Sequence, residues 1–366
     1  MSTVRVALIP EPRAPVEVRE VAEPELEQNS ALLEVELSEV CGTDVHLQQG
    51  RLAGVPYPLV PGHVSVGRLG KVRGKLLDIE GKPFAEGDRV TFLDVHLTCH
   101  ACWHCLVAKS STRCPRRKVY GITYGLADGL SGGWAEKIYL KPDTRCIRLG
   151  DADAETFMAG GCALPTALHA VERAGVEIGD TVLVLGSGPV GLSSVIFAVM
   201  RGALRVLCIG APAARLETAR AVGASATLDI ETHDEQQRIE WLLGQTGGRG
   251  ADVTIEATGA PAAVAQAMRY TRDAGRVCVV GQYTDHGEVS FNPHLDLNRK
   301  HLDMRGCWGS DFSHFYRGAQ LMADAARSRP WSLIKLERYG LARANDALAD
   351  VASGSVVKAL IDPNIH

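Results

Sequence analysis

Gly186-Ser187-Gly188-Pro189-Val190-Gly191 follows the apolar run Thr181-Val182-Leu183-Val184-Leu185 and leads into the apolar stretch Val190 to Met200. A strand that turns on glycines straight into a helix is the opening unit of a parallel α/β sheet. The helix N-terminus then presents unpaired backbone N–H groups to a pyrophosphate. In this arrangement Gly186 permits the tight turn, Gly188 lets the backbone approach the phosphates, and Gly191 lets the helix pack closely on the strand. Together with Pro189 and Val190 they are the expected dinucleotide-binding residues. The pattern then repeats: the apolar strands Arg205 to Ile209, Val253 to Glu256 and Arg276 to Val280 alternate with Ala-rich helical segments. A doubly wound nucleotide-binding domain is therefore predicted over residues 151–299.

The first 150 residues have a different texture, with short alternating segments such as Ser30 to Leu37, Gly87 to Leu93 and Trp134 to Leu140, broken by Gly and Pro. They predict a mostly β domain over 1–150. From about Lys300 a helical stretch, Phe315 to Arg327, precedes a strand-like Val356 to Ile361, and residues 300–366 are expected to return to the first domain. With 366 residues the chain is too long for one ordinary core, which agrees with two domains and an active site expected in a cleft between them. A formal net charge of −4 and scattered Lys and Arg, apart from the cluster Arg113 to Lys118, give no nucleic-acid footprint. No run approaches the roughly 18 apolar residues of a membrane span, and the start Met1-Ser2-Thr3-Val4-Arg5 is unlike a signal peptide, so a cytoplasmic protein is expected.

Ten cysteines in a chain of this length suggest metal ligation more than a disulfide scaffold. Cys99-x-x-Cys102-x-x-Cys105 and Cys114 put four thiols in sixteen residues, the number a closed structural zinc site needs, and predict a pinned lobe at about 95–118. Cys41, His63 and Cys162 supply two thiolates and an imidazole from separate segments, a set suited to zinc with one position left open for chemistry. A catalytic zinc beside a dinucleotide suggests hydride transfer at a carbon bearing oxygen. Cys146, Cys208, Cys278 and Cys307 lack a partner at ligand spacing and are expected as buried thiols.

On these residues the chain resembles the zinc-dependent medium-chain alcohol dehydrogenases. The resemblance is carried by Cys41-x-Thr43-Asp44, Pro61-Gly62-His63, Gly132-Gly133-x-Ala135-Glu136, Gly161-Cys162-Ala163-x-x-Thr166 and the glycine motif, and so covers nearly the whole chain. It implies a GroES-like catalytic domain joined to a Rossmann domain, two zinc ions per chain, and a homodimer or homotetramer formed through the nucleotide-domain sheets. It also implies that Thr43 bonds the substrate oxygen, that His46 receives the proton nearer the surface, and that Asp44 orients a zinc-bound imidazole. Thr166 resembles the residue packed on the nicotinamide ring, and the loop holding Thr258 resembles one passing near the cofactor. The chain departs from the family in two places. Val64 stands where a glutamate usually follows the ligand histidine, and eight residues separate Cys105 from Cys114 where seven are usual.

Gly210 occupies the position where an acid would grip the ribose 2′-hydroxyl of NAD, while Arg215 lies close enough along the chain to pair with a 2′-phosphate or stack on adenine. NAD and NADP both stay open. The reading is an NAD(P)-linked alcohol dehydrogenase, and the placement of Trp308 suggests a bulky or cyclic secondary alcohol. A reductase of activated C=C or C=N bonds and a non-catalytic NAD(P)H-binding protein are the alternatives.

Overall fold

The computed structural model describes residues 2–365. It divides into two compact units. One holds the chain up to Cys162, Asp311–Ser328 and the stretch from Lys335 on, and the other holds Ala163–Ser310 and Arg329–Ile334. The division falls between Cys162 and Ala163, not at residue 150, so Cys162 is grouped with the β-rich unit that also carries Cys41 and His63.

In the first unit a seven-stranded sheet runs Leu336–Tyr339, Lys358–Ile361, Ser30–Val40, Ser65–Arg73, Arg89–Phe92, Cys146–Arg148, with Lys137–Leu140 also pairing to the long strand Ser30–Val40. Alternation along Ser30–Val40 explains its two-sided role. Leu32 and Val40 pack into a core with Val6, Leu8 and Trp134, while Ala31, Leu33 and Val35 pack on the other face with Val90, Phe92 and Tyr120. Ser38 faces Ser65 in this ladder and Leu360 faces Glu39, so strands far apart in sequence deliver neighbouring side chains.

The second unit is a six-stranded parallel sheet in the order Ala226–Asp229, Arg205–Gly210, Thr181–Leu185, Ala251–Glu256, Thr271–Val279, Asp303–Gly306. This is a doubly wound sheet, and its chain order reverses next to Thr181–Leu185, where the glycine motif begins. Leu183, Leu207 and Val277 are almost wholly buried, as expected for strands covered by helices on both faces.

Two further sequence expectations change. Residues 300–310 and 329–334, expected to return to the first domain, group with the second unit. The helix predicted from Phe315 to Arg327 starts earlier and is broken, as Phe312–Met322 and Ala325–Ser328. Asp311 caps the start by accepting from Ser313 N and His314 N, and Asp324 ends the run by accepting from Ala326 N and Arg327 N. Aspartate side chains compete with the helix for those N–H groups. Among the described residues no helix is long and apolar enough to cross a membrane.

Candidate functional site

The helix Gly42–Gln48 follows directly from the long strand, and Cys41 at its N-terminus belongs to a group of residues that could hold a metal ion. Cys41 is the N-cap: its Sγ accepts from Thr43 N at 3.3 Å. Asp44 closes the reciprocal capping bond by accepting from Cys41 N at 2.8 Å, and its other oxygen accepts from Gly62 N at 3.3 Å. The fully buried carboxyl thus ties the Cys41 segment to the segment bearing His63. The resemblance assigned Asp44 to the imidazole. In the structure both of its oxygens are taken by backbone N–H groups, and His63 Nδ1 has no hydrogen-bond partner.

Cys41, His63 and Cys162 each place a ligand atom within 4.8 Å of the others. One ion could reach all three at bond lengths of about 2.0–2.3 Å, and two thiolates with an imidazole are a borderline-soft donor set suited to zinc. The electrostatics agree with a cation at this point. A hydrogen bond from Cys162 pulls the Cys41 thiol well below its ordinary value against the effect of burial, with His63 and the Thr43 side chain helping. Burial opposes the charged form of His63, yet the Cys41 charge outweighs it and, with Asp44, holds the imidazole at about 10. Cys162 is pushed well above its ordinary value by Cys41, by burial and by Glu39, so the two thiols share one negative charge. A divalent ion bound there would take over the role of the imidazolium charge and displace both the His63 ring proton and the Cys162 thiol proton, since both groups ligate only when deprotonated.

Glu39 is the group that sequence reasoning missed. It is wholly buried, its Oε2 accepts from Cys162 N at 2.6 Å, its Oε1 accepts from Cys162 Sγ at 3.1 Å, and Lys358 donates to the same Oε1. No motif flags a lone Glu two positions before a cysteine, and its partner lies at the opposite end of the chain.

Cys99, Cys102, Cys105 and Cys114 also come within 4.8 Å of one another. The Cys102–Cys105 and Cys99–Cys114 sulfur separations of 3.6 and 3.5 Å approach the edge of about 3.8 Å that a tetrahedron with 2.3 Å Zn–S bonds requires. The stretch before Cys114 turns through the 3-10 turn Ser111–Arg113, and the antiparallel pair Val95–Leu97 and Lys118–Val119 closes the lobe. His100 and His104 stand outside the four-sulfur group.

In the second unit Gly186 has φ +107°, a conformation that favours glycine, and a Cβ on Gly191 would collide with the Gly186 carbonyl oxygen. Gly188 is the N-cap of Pro189–Met200, and a Cβ there would meet nothing within 4 Å, which leaves its backbone open to a ligand. Gly210 ends the second strand, where a Cβ would lie 2.6 Å from Ser187 Oγ. Ser187 thus fills the place of an acidic side chain, and its hydroxyl is committed to the Ala211 carbonyl at 2.9 Å. Arg215 sits half-buried in the helix Ala213–Ala221. Thr258 Oγ1 donates to the buried Glu256 at 2.6 Å, and Glu256 also accepts from Thr258 N, Gly259 N and Gly281 N. One carboxylate therefore shapes the loops after two strands. Thr166 lies in the first turns of the helix Ala163–Ala174. Trp308 stacks on Tyr283 with ring centroids 5.7 Å apart and an interplanar angle of 7°.

The four remaining cysteines are buried, but not all are inert. Cys307 hydrogen-bonds Cys278 and His169, which together lower its thiol to about 5 against burial, and the His169 Nδ1 pairs with the Gly309 carbonyl at 2.7 Å. Parallel pairing of Thr271–Val279 with Asp303–Gly306 creates this contact, which spacing in the sequence cannot show.

Known proteins share this layout. Residues 27–151 match the model of the alcohol dehydrogenase GroES-like domain, and residues 189–324 match that of the zinc-binding dehydrogenases. A 5-exo-hydroxycamphor dehydrogenase of Pseudomonas putida is 33% identical over 340 residues, covering 92% of this chain and 92% of that protein. The crystal structure of an alcohol dehydrogenase from Thermotoga maritima is 30% identical and superposes with a TM-score of 0.93 over 100% of both chains. A zinc-binding dehydrogenase from Sinorhizobium meliloti, solved bound to NADP, is 27% identical with a TM-score of 0.86 over 99% of this chain and 100% of that one. With matches to both domains and a relative of this identity along nearly its whole length, the chain belongs to the zinc-dependent medium-chain dehydrogenase family and is an oxidoreductase acting on alcohols.

Proposed function

We propose that the chain interconverts a bulky or cyclic secondary alcohol and its ketone, passing hydride between the carbinol carbon and the nicotinamide of NAD or NADP. The convergence of Cys41, His63 and Cys162 carries this reading, because that donor set fits a zinc ion with one coordination position left over. When bound there, zinc supplies Lewis-acid polarisation of the alcohol or carbonyl oxygen. Thr43 takes the hydroxyl proton at its Oγ1 as the hydride departs and gives up its own proton toward His46. These two residues sit at i and i+3 on one helix and so share a face. His46 is partly exposed and passes the proton outward. Gly186, Gly188, Pro189, Val190 and Gly191 hold the pyrophosphate on backbone N–H groups, and Thr166 and the Thr258 loop border the nicotinamide end.

The ring-bearing substrate is supported by the Pseudomonas putida relative, whose name specifies a hydroxylated camphor, a cyclic secondary alcohol. Absorbance of reduced nicotinamide, followed with primary, secondary, cyclic and polyol alcohols and each cofactor, tests it. Cyclic secondary alcohols should give the highest kcat/KM, and turnover confined to polyols or absent throughout would reject the reading.

NADP should be accepted at least as well as NAD. Gly210 offers no carboxylate to repel a 2′-phosphate, and Ser187 occupies the space in which one could stand. An NADP-bound relative of the same fold supports this. Arg215→Ala should raise KM for NADP about tenfold while changing KM for NAD by less than about twofold, as expected for loss of one charge-assisted contact of roughly 1.5 kcal/mol. Equal effects on both cofactors would assign Arg215 to the adenine instead.

Two zinc ions per chain are expected by elemental analysis. Cys105→Ser should lose one of them and lower the melting temperature, while the remaining zinc and the turnover at low temperature persist. Loss of activity in proportion to zinc would show that the lobe is not separate from the chemistry. Assembly as a homodimer or homotetramer and a cytoplasmic location complete the proposal.

A further inference from the structure

Two carboxyl groups with no exposure to solvent lie against the metal ligands, and only one of them is explained by helix capping. Asp44 secures Cys41 and the His63 segment. The third ligand, Cys162, follows a helix that ends at Gly160, and its position depends on Glu39 instead. Glu39 is itself fixed in every direction. Its N–H donates to the Val64 carbonyl at 3.0 Å, and its carbonyl accepts from Trp134 Nε1 at 2.9 Å. Lys358, only 1% exposed, reaches its carboxylate from the last strand, which pairs Leu360 with Glu39. Residue 161 must be small: with φ +47°, a Cβ there would collide with Glu39 Oε2 and lie 2.6 Å from Lys358 Nζ. The chain therefore runs from Gly161 into Cys162 directly over this ion pair.

We propose that Glu39, held by Lys358, is a positioning residue for the metal centre, fixing Cys162 through its backbone N–H and sulfur so that the third ligand stands in place before a metal arrives. This rests on the reading of Cys41, His63 and Cys162 as a metal site. A ligand on a loop pays for its own ordering when metal binds, and a neighbouring hydrogen bond that orders it beforehand raises affinity; loss of such partners typically costs about 10- to 100-fold.

The test uses the full chain carrying Glu39→Leu together with Lys358→Met, which removes both charges while keeping apolar volume, so that neither charge is left buried alone. Cobalt(II) replaces zinc as a spectroscopic probe, and zinc affinity is measured by competition with a chelator. The four-cysteine site serves as the internal control. The expected result is unchanged affinity at the four-cysteine site, a fall of about 10- to 100-fold at the Cys41–His63–Cys162 site, and an altered thiolate-to-cobalt absorption band. A general loss of stability would lower the melting temperature without changing the band of the loaded site. If the double variant binds metal as tightly as the parent and gives the same band, Glu39 is only a structural ion-pair partner and the inference is wrong. If the parent itself takes up a single metal ion, confined to the four cysteines, the reading of the metal site fails along with it.

Discussion

Cys41→Ser is expected to lower kcat/KM for the alcohol by about 10³-fold, equivalent to about 4 kcal/mol of transition-state stabilisation, because the polarising ion loses a thiolate ligand. The substitution is informative because serine is a preferred N-cap. The hydroxyl can accept from Thr43 N as the sulfur does now, and Asp44 can keep its bond to the residue 41 N–H, so the helix Gly42–Gln48 stays capped. With zinc removed from the Cys41, His63 and Cys162 site in both proteins, stability should differ by less than about 1 kcal/mol, within the ordinary range for a well-tolerated replacement, while the zinc-loaded parent gains in addition whatever the bound ion contributes. Zinc content should fall from two ions per chain to one, the remaining ion being held by Cys99, Cys102, Cys105 and Cys114. Dinucleotide binding should be preserved, since its residues lie in the other unit. Full turnover by the serine variant would refute the assignment of Cys41 as a ligand.

The parts of the molecule that were legible in the sequence are those whose chemistry is local. The turn from Thr181–Leu185 into Pro189–Met200 needs its glycines at fixed offsets, and Gly191 is forced by its contact with Gly186, five residues earlier. The four-cysteine lobe was equally plain, since all four of its cysteines lie in one short stretch. Cys41, His63 and Cys162 were proposed as an open metal site from their donor chemistry, but they lie in three separate segments, and only the order of the surrounding motifs joined them. What stayed hidden depends on strand pairing. Glu39 lies opposite Val64 across the ladder, and cross-strand neighbours share a face, so the carboxylate missing at Val64 has a counterpart on the adjacent strand. A sequence shows Val64 as a loss and Glu39 as an unremarked strand residue, because the register joining them is tertiary. The Cys278, Cys307 and His169 contact was hidden for the same reason. Asp44 shows a subtler limit: its place beside Cys41 and His63 was foreseen, but its bonds go to Cys41 N and Gly62 N, since a short aspartate in the first turn of a helix reaches backbone before ring.

Lys358→Met should be the most destabilising of the single substitutions considered, at about 3–5 kcal/mol, because it strands the Glu39 carboxylate in an interior with no solvent access. The ammonium is buried with it, and although burial works against its charged form, Glu39 and Cys162 hold its pKa above the ordinary lysine value. Its stabilising effect is therefore complete below the unfolded lysine pKa and fades only as pH rises through the higher folded value. At neutral pH the full loss should be seen by chemical denaturation. The paired replacement, Glu39→Leu with Lys358→Met, should recover most of the stability, since exchanging a buried ion pair for apolar groups of similar volume is often neutral or better. It should not recover metal affinity at Cys41, His63 and Cys162. That separation decides between two accounts of the pair. If it served stability alone, the double variant would regain both properties. If it serves the metal centre, stability returns and the ligand stays loose, because leucine offers no acceptor to the Cys162 N–H that Glu39 now holds at 2.6 Å.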